Sequence, residues 1–352
     1  MHLIQLAEDC GPPSVETDGG PLYLWGSWSL FIPHYPSILM VTSSRPGPFL
    51  TITGPTAVGK TELSIEVAER LGTEIVSLDS RQVYQELTIG TAKPTPAQQN
   101  RVPHHFIGER PLTSPFTAGD YADAVNKRIR SLRTRDVQPL LIGGATLYLH
   151  AVQYGLADIP DVDDEVREWL EDRLEDEGKE ALFEELQEVD PRQAEKNDPT
   201  KTQRVLRALE VYHGTGNPLS YYHEHQPEPP FTYTTIVINR DRDELYERAN
   251  KRVDRMLDNG LLDEVREVME IEGVELDEPP LSTIGYREPI QHLRGEIDYD
   301  EMVRLIKRNT RRYAKRQLTW FRRYEEYHWM DAADVTANDI IEKYRREREN
   351  AE

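Results

Sequence analysis

The residues Gly54-Pro55-Thr56-Ala57-Val58-Gly59-Lys60-Thr61 spell G-x-x-x-x-G-K-[ST]. They lie between an apolar run, Phe49 to Thr53, and an amphipathic stretch, Thr61 to Leu71, that stops at Gly72. A loop in that setting gathers backbone N–H groups at a helix N-terminus and cradles a di- or triphosphate. Lys60 adds positive charge there, and the Thr61 hydroxyl is placed to reach Mg²⁺. The motif leaves open whether the phosphates belong to a nucleotide. A second apolar run, Glu74 to Leu78, ends at Asp79-Ser80. A carboxylate beside a phosphate site can hold a metal through water, as in a kinase, or take a proton from an attacking nucleophile. Capping a helix N-terminus is the third use of such an Asp-Ser pair.

A third apolar run, Pro139 to Ile142, ends at Gly143-Gly144. Strands separated by helical stretches predict a parallel sheet covered on both faces, with ligands at the carboxyl ends of the strands. The fold class expected is α/β: a P-loop NTPase-like parallel sheet with helices on both faces and an inserted all-helical domain. The insertion is residues 158–228, where Asp161 to Asp190 holds 15 acidic residues against three basic ones. Leu170, Leu174, Leu182, Phe183 and Leu186 recur there at helical spacing, so the acid lies on the solvated face of an amphipathic segment. Thr234 to Ile238 resumes a strand, so residues 48–157 and 229–340 are expected to form one core.

Longer spelling narrows the chemistry. Asp79-Ser80-Arg81-Gln82-Val83-Tyr84 is followed by Ile89-Gly90-Thr91-Ala92-Lys93-Pro94, Pro103-His104-His105, Gly143-Gly144 and Leu147-Tyr148. Then come Asn197-Asp198-Pro199, Gln203 to Val211, Ile284-Gly285-Tyr286-Arg287 and Ala314 to Trp320. With the phosphate loop, these segments closely resemble the tRNA dimethylallyltransferases over about residues 48–331, in the same order. No zinc-finger extension follows, so the resemblance is to the bacterial form.

The resemblance implies transfer of a dimethylallyl group from dimethylallyl diphosphate to N6 of the adenosine at position 37, 3′ of the anticodon, in tRNAs reading codons that begin with U. Mg²⁺ is the implied cofactor, and the tRNA anticodon stem-loop the implied partner. The loop Gly54, Pro55, Thr56, Ala57, Val58, Gly59, Lys60 and Thr61 then holds the prenyl donor's diphosphate, with Thr61 on the metal. By similarity Asp79 is the general base, and Lys60, Thr61 and Arg252 stabilise the leaving diphosphate. Arg252 follows the family spacing with Arg248 and Met256 within Asp243 to Met256; a surface ion pair is the plainer reading of it.

The stacked adenine must be extruded into a pocket. The implied tRNA contacts are Asp79, Ser80, Arg81 and Gln82; Ala145; Arg167; Gln203, Arg204, Val205, Leu206 and Arg207; and Ser282, Thr283, Ile284, Gly285, Tyr286 and Arg287. One position departs from the family, which has Gly-Gly-Thr where this chain has Gly143-Gly144-Ala145-Thr146. The hydroxyl expected at the reacting centre is missing, and Thr146 would need a small loop shift to replace it.

The whole chain of 352 residues carries 42 Lys and Arg against 63 Asp and Glu, a net charge of −21, which argues against a general polyanion binder. Met302 to Arg323 nevertheless holds nine basic residues and no acidic one, with Tyr313, Trp320 and Phe321 interleaved. Arg304, Arg308, Arg311, Lys315 and Arg322 fall near one helical face, which points to a polyanionic partner. With the acid concentrated in the insertion, its acidic face is expected to turn away from RNA while Arg167, Arg204 and Arg207 face it.

The single Cys10 forms no internal disulfide, and no Cys/His spacing resembles a zinc module, so a reducing cytoplasm fits best. His223-x-His225 has a spacing that could bind a metal. No run approaches the roughly 20 apolar residues of a membrane span, and no membrane partner is expected; the protein is expected to be a monomer. Residues 1–47, rich in Gly and Pro, read as an extension outside the fold, with Met40 a workable alternative start. Two rival activities remain on the residues alone: prenylation of free adenine nucleotides, and a P-loop small-molecule kinase in which the insertion is a lid. A non-enzymatic RNA-binding protein is a third reading, against which the intact Lys60-Thr61 and Asp79 argue.

Overall fold

The computed structural model describes residues 47–277 and 279–351. The extension and the alternative start at Met40 fall outside the described residues, apart from Gly47. The chain begins with β1 (Phe49–Thr53), α1 (Lys60–Leu71), β2 (Ile75–Leu78), α2 (Pro96–Arg101), β3 (His104–His105), α3 (Ala118–Arg133), β4 (Leu140–Gly143) and α4 (Thr146–Tyr154). Four helices follow: α5 (Asp164–Val189), α6 (Pro191–Ala194), α7 (Thr202–Thr215) and α8 (Leu219–Glu224). The remainder is β5 (Tyr233–Asn239), α9 (Arg242–Asp258), α10 (Leu261–Met269), α11 (Arg287–Leu293), α12 (Tyr299–Phe321), β6 (His328–Asp331) and α13 (Ala337–Ala351).

The six strands form one parallel sheet in the order β3-β2-β4-β1-β5-β6. Alternate residues along each strand enter different cores, because successive side chains point to opposite faces. Leu50, Ile52, Ile75, Leu140 and Ile236 pack with Ile65 and Ala68 of α1 and Ile340 and Tyr344 of α13. Phe49, Val76, Leu78, Leu141 and Val237 pack with Tyr121 and Val125 of α3, Leu149 of α4 and Phe321 of α12. Both faces are therefore covered, as a parallel sheet requires.

The helix starts are written locally. Thr117 caps α3 by accepting from the Asp120 N–H, and Asp241 caps α9 by accepting from Asp243 and Glu244. Gly72, left-handed at φ 63°, ends α1 where the sequence places the stop.

Helices α5 to α8 are contiguous in the chain between α4 and β5, and Leu170, Leu182, Leu186, Val205, Leu206 and Leu209 form a separate apolar cluster there. The amphipathic run expected as a single helical segment bends at Gly178, whose φ of 87° and ψ of 165° are not helical. The bend lets Leu170 and Leu182, on its two sides, meet in that cluster.

Strands β3 and β6 are not legible in the sequence. Two residues, His104 and His105, are too few to show a period, and β6 is a half-exposed edge with little apolar signal. His105 Nε2 contacts Glu74 Oε2 at 2.6 Å, and His104 Nδ1 contacts the Val102 carbonyl at 2.7 Å. Among the described residues no helix is long and apolar enough to cross a membrane.

Candidate active site

Register places three strand ends side by side. In β2-β4-β1, Leu78 and Thr53 both stand level with Gly143, so Asp79, Gly144 and Gly54 leave the sheet at the same height. The phosphate loop can start there because Gly54, at φ 147°, passes so close to β5 that a Cβ would lie 2.3 Å from the Ile238 carbonyl oxygen.

Lys60 Nζ donates to the Gly54 and Pro55 carbonyls at 2.8 and 2.9 Å, folding the loop over the side chain. Burial, helped by the nearby Arg252 charge and opposed by Asp79, brings the Lys60 ammonium down to a pKa of about 7. From outside, Arg248 of α9 donates to the Ala57 carbonyl at 2.9 Å. Gln317 of α12, almost fully buried, accepts from the Thr56 N–H at 2.9 Å and donates to the Gly144 carbonyl at 2.7 Å. One amide thus ties the phosphate loop to the end of β4.

Two cavities open at this rim. The larger, about 1050 Å³, is walled by Lys60, Thr61, Asp79, Arg248, Arg252 and Gln317 among others. The smaller, about 130 Å³, is lined by apolar Val253, Met256, Ile284 and Ile306 together with Ser80, Arg81, Thr283 and Ala145. Thr56, Asp79, Arg252 and Tyr313 line both, so they stand at the junction. Tyr313, desolvated and close to Asp79, has its phenol pushed up to about 12 and stays a neutral hydroxyl.

Asp79 Oδ1 accepts from the Arg81 and Gln82 N–H groups at 2.8 and 3.1 Å. No helix starts here, so the expected helix cap is instead a turn cap, which occupies one oxygen and fixes the carboxylate. Oδ2 makes no hydrogen bond among the described residues. Arg252 is not in a surface ion pair: its Nη2 donates to the Thr91 carbonyl at 3.0 Å, a carbonyl that also accepts from Gln82 Nε2 at 3.2 Å. Desolvation lowers its pKa, with Asp79 acting in the opposite direction.

The implied tRNA contacts divide. Asp79, Ser80, Arg81, Ala145, Thr283, Ile284, Gly285 and Tyr286 line the smaller cavity, and Gln82 the larger. Ser282 and Arg287 line neither; Arg287 Nη2 donates to buried Glu288 at 3.2 Å. Gln203, Arg204 and Arg207 are exposed on α7, and Arg167 is exposed on α5, all outside both cavities. Arg207 pairs with Glu210 at 2.6 Å and Arg167 with Glu171 at 3.1 Å.

Three of the implied contact residues have buried side chains. Val205 and Leu206, 2% and 6% exposed, are core residues of the α5–α8 cluster, because a helix must bury one stripe and theirs faces inward. Tyr286 is fully buried, and its hydroxyl is spent on Glu264 at 2.7 Å. Thr146 does not replace the missing hydroxyl: it begins α4 and lines neither cavity, whereas Ala145 lines the smaller one.

Glu264 and Glu288 escaped sequence reasoning, since an isolated glutamate on an amphipathic helix looks like solvated charge. Glu288 accepts from the Gly285 N–H at 2.9 Å and Asn309 Nδ2 at 2.7 Å, holding the loop before α11. His223 and His225 do not converge on a metal: His223 Nδ1 meets Gln193 Nε2, and His225 Nδ1 meets the Tyr221 carbonyl. No cluster of three or more metal-binding side chains exists among the described residues. The Thr61 hydroxyl on the cleft wall fits Mg²⁺ in the manner of a phosphate-bound ion, which takes few protein ligands and keeps its waters.

Comparison with known proteins adds an independent line. Residues 82–324 match the family model described as IPP transferase. The chain is 74% identical over 295 residues to the tRNA dimethylallyltransferase of Salinibacter ruber, covering 84% of this chain and 91% of the relative. It is 45% identical over 290 residues to that of Syntrophobacter fumaroxidans, covering 82% and 84%. Among solved structures, the full-length tRNA isopentenylpyrophosphate transferase of Bacillus halodurans superposes with a TM-score of 0.63 at 36% identity, covering 87% of this chain and 97% of that one. A eukaryotic dimethylallyltransferase acting on tRNA shares the fold at 24% identity, with a TM-score of 0.69 over 86% of this chain and 77% of that one.

Proposed function

The chain belongs to the IPP transferase family and is a prenyltransferase that moves a dimethylallyl group to tRNA; from that premise we propose the acceptor atom and the residue roles. The donor is dimethylallyl diphosphate, and the acceptor is N6 of adenosine 37, 3′ of the anticodon, in tRNAs reading codons that begin with U. The observation that carries the reading is the junction: Asp79 and Arg252 border both the phosphate cleft and the small apolar cavity.

The adenine, extruded from its stack, brings N6 to Asp79. Its lone pair attacks C1 of the dimethylallyl group as the C1–O bond breaks and its electrons leave with the diphosphate. The N6 proton passes to Asp79, whose free Oδ2 accepts it while the two amides hold Oδ1. The phosphate-loop amides, Lys60 and Arg252 stabilise the charge that gathers on the departing diphosphate. Mg²⁺, when bound with Thr61, supplies further neutralisation of that diphosphate.

Residues 48–157 and 229–340 form the catalytic core in this reading, and 158–228 is a tRNA-contacting insertion, supported by its separate apolar cluster. Gln203, Arg204 and Arg207 are its exposed contact positions, together with Arg167. The enzyme works as a monomer in the cytoplasm, where tRNA is found.

Radiolabelled dimethylallyl diphosphate is incubated with Mg²⁺ and unmodified tRNA carrying adenine beside the anticodon, with AMP and ATP as rival acceptors. Label entering tRNA, and lost in Asp79→Ala, is the expected result. Label entering only the nucleotides would overturn it in favour of a free-nucleotide prenyltransferase, and absence of transfer would direct attention to a kinase.

A further inference from the structure

Glu264 lines neither cavity, yet it holds more of the site's backbone than any residue on the rim. It sits on α10 beside Leu261, Val265 and Val268, which anchor that helix in the main core. Its Oε2 accepts from the N–H groups of Thr88 and Ile89 at 3.0 and 2.6 Å. Its Oε1 accepts from the Gly90 N–H at 3.0 Å and the Tyr286 hydroxyl at 2.7 Å. Both oxygens act as acceptors for these four donors, a set a carboxamide cannot serve because its NH₂ would be turned toward two of them.

The grip transmits to the junction. Gly90 is pressed onto the Tyr286 ring, where a Cβ would meet ring atoms at 2.6 Å, so the loop cannot slide past Tyr286. The turn closes through Ala92 N–H to the Ile89 carbonyl at 2.9 Å and Lys93 N–H to the Thr88 carbonyl at 3.0 Å. It presents the Thr91 carbonyl, which receives Arg252 Nη2. We infer that Glu264 is a positioning residue for group transfer: by fixing residues 88–91 it aims the Arg252 guanidinium at the leaving diphosphate. This rests on the function proposed above, because the role of Arg252 comes from it.

The test is a kinetic cycle on the full chain with dimethylallyl diphosphate and tRNA. Glu264→Gln is expected to lower kcat about 10- to 100-fold, the scale of a misplaced catalytic group, while the KM for tRNA stays within about twofold. In an Arg252→Ala background the same substitution is expected to change kcat by less than about twofold, because both act through one group. Tyr286→Phe removes one of the four donors and spares the carboxylate, so it runs the same cycle if Glu264→Gln folds poorly. Its few-fold loss should likewise vanish without Arg252. Equal losses with and without Arg252, or full kcat in Glu264→Gln, would overturn the inference. An inactive wild-type enzyme would instead overturn the function on which it rests.

Discussion

At the scale of single residues, the site is governed by what burial does to charge. Lys60 is held near a pKa of about 7 without its anion, by desolvation and by Arg252. A bound diphosphate favours the ammonium and raises that pKa, so binding takes up a proton wherever free Lys60 is neutral. Donor affinity is therefore expected to be highest below pH 7 and to weaken as pH rises through it. Calorimetry at pH 8 in buffers of different ionisation enthalpy should report uptake approaching one proton, and Lys60→Arg, always charged, should abolish it.

Ala145 offers a second test at this scale. It is the N-cap of α4 with extended backbone and no side-chain cap, and it borders the cavity shared with Asp79. Ala145→Thr is expected to stabilise the fold by about 1 kcal/mol through capping, read as a raised Tm. It should also speed turnover; a rate no faster than that of wild type would show that the absent hydroxyl does not limit this enzyme.

Between elements, the important joints are single side chains reaching across long stretches of sequence. Gln317 lies 261 residues from Thr56 and 173 from Gly144, and it bonds to both. Gln317→Leu leaves the buried Gly144 carbonyl unpaired, at a cost of about 1–3 kcal/mol, and frees the part-buried Thr56 N–H on the cavity wall. It is expected to lower Tm and to raise the KM for dimethylallyl diphosphate more than the KM for tRNA, because the phosphate loop loses its brace. Equal changes in the two KM values in steady-state kinetics would refute that role.

Over the whole molecule, α12 divides the basic tract into two halves. Arg304 pairs with Glu301 and Lys307 with Asp254, while Arg311 is bound to Asn250. Farther along, Arg312, Lys315, Arg316, Arg322 and Arg323 are exposed and have no carboxylate partner among the described residues. In a chain of net charge −21 this cluster of unpaired cations can attract a phosphate backbone. Replacing Lys315 and Arg323 by Ala is expected to weaken tRNA binding and to make log affinity fall less steeply with log salt, the slope dropping by about one for each phosphate that these side chains neutralise. An unchanged slope in filter binding at several salt concentrations would place the RNA elsewhere.

What the sequence determined by itself was local and periodic. The phosphate loop, its flanking strand and helix, the Gly72 stop, and Asp79 at a strand end were all legible because each depends on neighbours a few residues away. The tertiary structure alone decided which residues share a surface. Strand order β2-β4-β1 brought Asp79 level with Gly54, and helical phase turned Val205 and Leu206 inward while leaving Arg204 and Arg207 outside. It also gave Glu264 and Gln317 partners more than a hundred residues away. Such bonds leave no trace in spacing, since a lone polar residue on an amphipathic helix reads the same whether it meets water or the backbone of a distant loop.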